Sequence, residues 1–324
     1  MNKLKMTYMR SARNTGLALL ALLLIGTFAD LPISRLLYPG RESSIGQFFA
    51  AFGELPCFAL MIGCGVLLLT IRTRLRKVLQ LPALIGSALL ILASLVLAVH
   101  ESVDNVPAMP TVVALIVAFF VSALTAAGLV FLTRACPAKT VVRFVCTVLF
   151  VTVLTMLLVN IIKIPWGRVR MRLIVLTGNE SYYTPWWKAG TALKKRLVAE
   201  GVSSDEFRSF PSGHTACAAC AMLFVLFPTL SKRLRGRERM CLGIGLFWTG
   251  VVAFTRINMG AHFLSDVSFS ALLTLCLTAL GVYLFYFNKR VFNWVWDLLY
   301  DKQEQDAQNA ESPAAHANRK SEGT

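Results

Sequence analysis

Residues 141–162 read VVRFVCTVLFVTVLTMLLVNII, an apolar run in which Arg143 is the only charged residue. An α-helix of about 20 residues crosses a hydrocarbon core of about 30 Å. The run therefore predicts a transmembrane helix. The whole chain fits this setting, because 56% of its residues are hydrophobic, 15% are charged and its mean hydropathy is +0.62. Such a composition excludes an ordinary soluble protein.

Seven further apolar windows flank this run, at residues 16–37, 48–71, 81–100, 111–132, 213–230, 241–255 and 263–287. Together the windows predict an all-α, polytopic bundle of about eight transmembrane helices. We divide the chain into N-terminal helices of unassigned role (1–140), a catalytic part (141–290) and a polar cytoplasmic tail (291–324).

Basic residues cluster at alternate ends of the predicted helices: Lys3, Lys5, Arg10, Arg13, Arg72, Arg74, Arg76, Lys77, Arg134, Lys139, Arg143, Lys232, Arg233, Arg235, Arg237 and Arg239. The loop of residues 101–110 has Glu101 and Asp104 but no Lys or Arg. Lys and Arg favour the cytoplasmic side of short loops. Both termini are therefore predicted to be cytoplasmic, and the helix ends near Lys163, Ser212 and His262 to face outward.

The net charge of +16 does not predict a nucleic-acid partner, because most of it lies at helix ends that meet anionic lipid. The eight cysteines lie mostly within apolar segments and suggest no disulfide framework. No Asp, Glu and His cluster at metal-ligand spacing is present, so we expect neither a metal nor another cofactor. The expected partners are the bilayer and a membrane lipid, while oligomeric state is left open.

Three polar segments lie at the outward ends: Lys163 to Arg170, Pro211-Ser212-Gly213-His214, and Arg256 to Asp266. Lys163, Arg170 and Arg256 offer charge to a phosphate. Ser212 is a helix cap, and Gly213 permits close backbone approach. Each segment alone has an ordinary explanation, such as a helix cap or an interfacial anchor. Their common order, spacing and membrane face favour a catalytic site.

The two histidines suggest the chemistry. His262 and Asp266 are four residues apart, so on a helix the carboxylate can hydrogen-bond the imidazole and leave its other nitrogen as a nucleophile. His214 is placed to give a proton to the leaving oxygen. We expect Pro165 and Gly167 to end the helix that carries Lys163, so that Lys163 and Arg170 converge.

Together the three segments resemble the signature of the type 2 phosphatidic acid phosphatase family, Lys-x6-Arg-Pro, Pro-Ser-Gly-His and Ser-Arg-x5-His-x3-Asp. Met171 replaces the family's proline and Thr255 its serine. The resemblance implies a six-helix core, a phosphohistidine on His262, His214 as general acid and Asp266 as partner of His262. It also implies a phosphate site formed by the remaining matched residues, Lys163, Arg170, Ser212, Gly213 and Arg256.

The sequence thus predicts a metal-independent membrane enzyme that hydrolyses a phosphate monoester or pyrophosphate on a lipid. Candidate lipids are polyprenyl pyrophosphate, placed first because the site faces outward, then phosphatidate, phosphatidylglycerol phosphate and a lipid A-like glycolipid. A bacterial inner or plasma membrane is expected. One alternative is a lipid phosphotransferase using the same site. Another is a non-catalytic transporter or receptor that binds phosphorylated lipid, which both retained histidines disfavour.

Overall fold

The structure is a computed structural model that describes residues 2–40 and 43–300, with side chains from residue 8 onward. Within these ranges the regular elements are all helices. They are α1 (Asn2–Leu37), α2 (Ser44–Phe52), α3 (Leu55–Ile71), α4 (Lys77–Asn105), α5 (Thr111–Thr133), α6 (Ala138–Trp166), α7 (Met171–Thr177), α8 (Thr191–Ala199), α9 (Gly213–Ala219), α10 (Phe227–Leu230), α11 (Glu238–Asn258), α12 (Leu264–Val282) and α13 (Lys289–Leu299). The all-α prediction is confirmed.

Eight segments in this part of the chain are long and apolar enough to span a membrane. They are Tyr8–Leu37, Ser44–Arg74, Lys77–Asn105, Thr111–Thr133, Ala138–Thr177, Gly213–Leu230, Glu238–Asn258 and Leu264–Phe287. Each contains or overlaps one predicted window, so the prediction of eight spans is confirmed. The outer faces of α1 and α5 carry exposed apolar side chains such as Phe28, 82% exposed, and Phe120, 68% exposed. Such faces suit lipid rather than water, and the protein is an integral membrane protein.

Irregular backbone interrupts several spans, and the second and sixth bear on the site. The second is broken at Gly53 and Glu54, between α2 and α3. The sixth consists of α9, a 3₁₀ stretch from Cys220 to Leu226, and α10. A break in a span leaves carbonyl groups without helical partners, so other groups must satisfy them. Trp248 on α11 does so for Gly53, because its indole Nε1 donates to the Gly53 carbonyl at 2.9 Å.

Successive spans alternate in direction. One end of the bundle therefore contains the C-termini of α1, α4, α6 and α11 and the N-termini of α2, α5, α9 and α12. We call this the site end of the bundle. The opposite end, here the basic end, holds the charged turns around Arg74, Arg134 and Arg235. Which side of a membrane each end faces remains a prediction from the distribution of Lys and Arg.

Helix α13 closes the basic end and belongs to the start of the predicted polar tail. The backbone N–H of Arg76 donates to the Leu299 carbonyl at 3.0 Å, and the Arg143 guanidinium lies 4.4 Å from the centre of the buried Phe292 ring. The remainder of the predicted tail, residues 301–324, lies outside the described residues.

Helix α1 packs directly on α12 through Gly26. A Cβ atom at Gly26 would lie 2.6 Å from the Ser265 backbone nitrogen, so only glycine permits this approach. Small residues that bring backbones together are a common basis of helix packing in membranes, where lipid is as apolar as the protein core. The contact places Asp30, one helical turn further along α1, at the start of α12.

Candidate active site

A polar cavity of about 100 Å³ lies at the site end. Its walls include residues from all three sequence segments: Lys163, Arg170, Gly213, His214, Arg256 and His262. Ser212 and Asp266 lie behind this wall, where Ser212 caps α9 and Asp266 occupies the first turn of α12. The fold therefore brings together residues that are about 100 positions apart in sequence.

Lys163 reaches the cavity from the last turn of α6. The helix continues through Pro165 to Trp166 and ends at Gly167, whose φ of 73° is left-handed and suits glycine. Of the two residues expected to end the helix, Gly167 therefore does so. A Cβ atom at Gly213 would lie 3.4 Å from Lys163 Nζ, so the glycine keeps space for the ammonium group at the mouth of α9.

Arg170 is held by a residue that the sequence did not indicate. Its Nη1 and Nη2 atoms donate to the two carboxylate oxygens of Asp205 at 2.6 and 3.2 Å, a two-point pair that fixes the guanidinium plane. Met171 is the first residue of α7, a position that also suits proline. The departure from the family pattern at Met171 is thus compatible with the same backbone.

Arg256 lies in the last turn of α11 and is 3% exposed. Neither Arg256 nor Lys163 forms an ion pair within the described residues, and the Arg256 Nη1 atom donates only a long hydrogen bond to Met259 Sδ at 3.9 Å. Burying a cation without a partner is costly. Two such cations on one cavity indicate a site built for an anionic ligand. The neighbouring Thr255 hydroxyl bonds the Val252 carbonyl at 2.8 Å, so it is directed into its own helix.

This charge arrangement gives a test that separates activity from stability. Lys163→Met is expected to lower kcat/KM by about 100-fold, because the site loses one of the preplaced cations expected to bind the substrate's phosphate. The free energy of unfolding should stay the same or rise, because a buried, unpaired charge is removed. Phosphate release and thermal unfolding in detergent measure the two quantities. A variant that keeps full activity, or that loses stability in proportion to activity, would contradict this role.

His214 is the second residue of α9. Ser212 caps this helix, because its Oγ accepts from the Thr215 backbone N–H at 3.3 Å. The His214 Nε2 atom lies 2.9 Å from the Ala50 carbonyl oxygen, and Nδ1 lies 3.4 Å from Glu54 Oε1. A carbonyl oxygen can only accept, so Nε2 is the donor and Nδ1 is the nitrogen left for the cavity.

His262 does not lie on a helix with Asp266, contrary to the expectation. It sits in the turn between α11 and α12, after Gly260 with its φ of 63°, and α12 begins only at Leu264. His262 Nδ1 bonds the Ser209 carbonyl, so Nδ1 carries the proton. Within the described residues Nε2 has no hydrogen-bond partner, which leaves its lone pair free to act on a ligand.

The expected direct hydrogen bond from the His262 ring to the Asp266 carboxylate is also absent, since the distance from Nδ1 to Oδ2 is 3.9 Å. The Asp266 oxygens are already engaged. Oδ2 accepts from the Ser209 hydroxyl at 2.6 Å and from the Phe263 backbone N–H at 2.8 Å. Asp266 therefore acts on His262 through Ser209, which joins the imidazole and the carboxylate, and through its charge.

Asp266 belongs to a buried ionic triad, Asp30–Arg168–Asp266, that the sequence did not predict. Arg168 Nη2 donates to Asp30 Oδ2 at 2.8 Å, Nη1 donates to Asp266, and all three side chains are 0% exposed. The Asp30 carboxylate also accepts from the Ser265 backbone N–H at 2.8 Å. The triad carries one formal negative charge beside His262. That charge would favour a positive charge on the His262 ring.

Burial, reinforced by the cations Lys163 and Arg256, lowers the pKa of His262 well below its ordinary value of 6.5. A lowered histidine pKa keeps the imidazole neutral as pH falls through 6.5. We therefore expect His262 to stay neutral and nucleophilic at pH 6.5 and to gain a proton only in more acid solution. NMR of ¹⁵N-histidine-labelled protein, with His262→Gln to assign the signal, measures this. A titration midpoint at or above pH 6.5 would contradict it.

No group of three or more His, Cys, Asp or Glu side chains that could hold a metal ion occurs in residues 2–40 and 43–300. Metal independence itself stays a prediction for experiment. The arrangement suits chemistry on an anion. One cavity holds a free imidazole nitrogen, a second imidazole on another wall and four cations, Lys163, Arg170, Arg208 and Arg256.

Comparison with known families gave one match. Residues 144–290 match the model of the PAP2 superfamily, which confirms the resemblance to the type 2 phosphatidic acid phosphatase family. The matched part contains all the predicted site residues, whereas Asp30 and Glu54 precede it. The match implies phosphatase or phosphotransferase chemistry on lipid-like substrates. The comparisons with curated proteins and with solved structures gave no match.

Proposed function

We propose, from the superfamily match and the site, that this protein is an integral membrane lipid phosphatase with a phosphohistidine intermediate on His262. One observation carries the proposal: the unpartnered Nε2 of His262 shares a cavity with the two buried, unpaired cations Lys163 and Arg256. That combination provides a nucleophile and a place for the phosphate it attacks.

In the first step, His262 Nε2 forms a bond to phosphorus while the bond from phosphorus to the leaving oxygen breaks. Lys163, Arg170 and Arg256 stabilise the charge on the equatorial oxygens. The proton on His214 Nδ1 passes to the leaving oxygen, so the lipid leaves as an alcohol or as a monophosphate. The ionic triad offsets the positive charge that appears on the His262 ring.

In the second step, water attacks the phosphohistidine. His214 Nδ1, now unprotonated, takes a proton from that water as the bond between phosphorus and Nε2 breaks. Inorganic phosphate leaves, and both histidines return to their starting states. The chain thus needs only its own side chains and water for a full cycle, and the scheme is metal-independent.

A lipid substrate is supported by a second, apolar cavity of about 410 Å³, which is lined by residues on both sides of the break between α2 and α3. Phe52 and Leu55 line this cavity, while Glu54, in the same stretch of chain, lines the polar one. The apolar cavity extends along α3, α5 and α11 as far as Leu60 and Thr125. It suits a hydrocarbon chain whose phosphate is held by the cations.

The preferred substrate is a polyprenyl pyrophosphate, ahead of phosphatidate, phosphatidylglycerol phosphate and a lipid A-like glycolipid. The preference rests on the predicted orientation, in which both termini are cytoplasmic and the site end faces outward across a bacterial inner or plasma membrane. Labelling of cysteines introduced at the two ends of the bundle in intact cells tests that orientation.

The enzymatic test is phosphate release by purified protein in detergent with EDTA, over a panel of these four lipid classes. We expect release from at least one class that EDTA does not reduce. Loss of lipid phosphate without free phosphate, and with a phosphorylated acceptor, would assign the chain to the phosphotransferases. Lipid transport in liposomes by a protein with neither reaction would support a non-catalytic carrier.

A further inference from the structure

Glu54 is a charged residue of the cavity to which the mechanism above gives no role. It lies between α2 and α3, outside residues 144–290, and is 7% exposed. Its Oε1 atom is 3.4 Å from His214 Nδ1, the nitrogen that faces the cavity. Among the described residues, Glu54 is the only carboxylate with an oxygen within 4.0 Å of a His214 ring nitrogen.

The break between α2 and α3 explains how this pair arises. The last carbonyl groups of a helix lack partners in the helix itself and require other donors. Three side chains from other spans donate hydrogen bonds to these carbonyl groups. His214 Nε2 donates to the Ala50 oxygen at 2.9 Å. Ser102 Oγ donates to the Ala51 oxygen at 2.7 Å, and Trp248 Nε1 donates to the Gly53 oxygen at 2.9 Å. The break therefore fixes the His214 ring and places Glu54 beside its second nitrogen.

Because the Ala50 oxygen keeps a proton on Nε2, only Nδ1 can gain and lose the proton used in catalysis. The charged and titratable groups that share the cavity with His214 are Glu54, Glu101, Asp104, Lys163, Arg170, Asp205, Arg208, Cys217, Arg256 and His262. The four cations among them oppose a proton on Nδ1. Glu54 is the group in contact with Nδ1 that favours it.

We propose that Glu54 is a positioning residue for the general acid: it shares the transferable proton with His214 and so keeps Nδ1 protonated until the leaving oxygen departs. The proton goes from Nδ1 to the leaving oxygen and returns to Nδ1 from the attacking water, so Glu54 gains and loses no net proton over the cycle. The N-terminal helices, outside the matched family segment, thereby complete the active site. This inference rests on the proposed phosphatase function.

The test uses full-length protein in detergent and two substrates: the best lipid phosphate of the panel, and p-nitrophenyl phosphate, whose leaving group departs without protonation. Glu54→Gln is expected to lower kcat/KM for the lipid by about 10- to 100-fold, and for p-nitrophenyl phosphate by less than about threefold. The alkaline limb of the lipid pH–rate profile should move to lower pH, because the amide cannot share the proton.

Glu54→Asp, which keeps the carboxylate, should recover part of the lipid activity. It also serves as the test variant if Glu54→Gln does not fold. The matched control is Glu200→Gln, a change of an exposed carboxylate outside the cavity that should leave both activities unchanged. Equal losses on both substrates with an unchanged pH profile would overturn the proposal, as would a Glu54→Gln variant as active as the parent on the lipid.

Failure of this inference is distinguishable from failure of the proposed function. If the parent protein releases phosphate from neither substrate, the phosphatase assignment fails and Glu54 has no acid to position. If the parent protein is active, His262→Ala is inactive and Glu54→Gln is unchanged, the phosphatase assignment stands and the role of Glu54 is excluded.

Discussion

Replacing His262 with alanine is expected to abolish phosphate release from every lipid that the protein hydrolyses, with a fall in kcat of roughly 10⁴-fold or more. The size follows from the proposed role of His262 as the attacking group, because among the described residues its Nε2 is the imidazole nitrogen that faces the cavity beside the ionic triad. Lipid binding should persist, since Lys163, Arg170 and Arg256 remain. Phosphate release and lipid binding, measured side by side, separate the two effects.

The matched control is His100→Ala. His100 lies near the end of α4, is exposed and does not line the cavity, so this substitution should leave phosphate release unchanged. A His262→Ala variant that folds and still hydrolyses lipid at the parent rate would remove His262 from the mechanism. Loss of activity in both histidine variants would instead indicate a general sensitivity of the fold.

Replacing Arg168 with methionine is expected to be the most destabilising single change in the site. Arg168 is 0% exposed and is paired with two carboxylates that are equally buried, Asp30 and Asp266. Removing it leaves two uncompensated charges in a dry environment, which costs about 3–5 kcal/mol of unfolding free energy. Arg172→Met is the control, because Arg172 pairs with Glu206 at a partly exposed site where such pairs contribute about 0–1 kcal/mol.

The triad also predicts the sign of a coupling. Adding Asp30→Asn to Arg168→Met removes one of the two unpaired charges, so the double variant should be more stable than Arg168→Met alone. Asp30→Asn by itself should destabilise, because Arg168 and Ser265 lose a charged partner. Thermal or denaturant unfolding in detergent provides the four values of this cycle. Strictly additive losses would show that Arg168 and Asp30 do not act as a pair.

The sequence predicts those features of the fold and the site that depend on local patterns of residues. The eight spans follow from runs of apolar residues such as residues 141–162, whose length alone sets the expectation. The segments around Lys163, His214 and His262 can be recognised from the sequence, because each lies at the end of a predicted helix and its polar residues have a characteristic spacing. Their convergence on one cavity follows from the alternating direction of the spans.

The contacts between these segments could not be predicted in the same way. Ser209 lies between His262 and Asp266 because the loop before α9 passes there, and spacing within one segment cannot show this. The predicted window begins at residue 263 and α12 begins at Leu264, so His262 lies in the turn before the helix and the helical pairing of His262 with Asp266 does not form.

Arg168, Asp30 and Glu54 illustrate a second limit. Arg168 stands between Lys163 and Arg170, and its spacing does not reveal that it faces away from the cavity toward Asp30 and Asp266. Asp30 and Glu54 are single acidic residues in apolar N-terminal spans. An ionisable residue in a span is a signal of function, but its partner is set by helix packing. Gly26 on α1 and the break after α2 supply that packing.

The central claim is that the phosphoryl group is held covalently on His262 during the reaction. The most direct measurement is rapid acid-free quenching of the protein with a ³²P-labelled lipid substrate, followed by peptide mapping of the label. The account predicts an acid-labile, base-stable label on the peptide that contains His262, absent from the His262→Ala variant and lost as free phosphate appears. Lipid hydrolysis at the full rate with no label on His262 at any time during turnover would contradict the account.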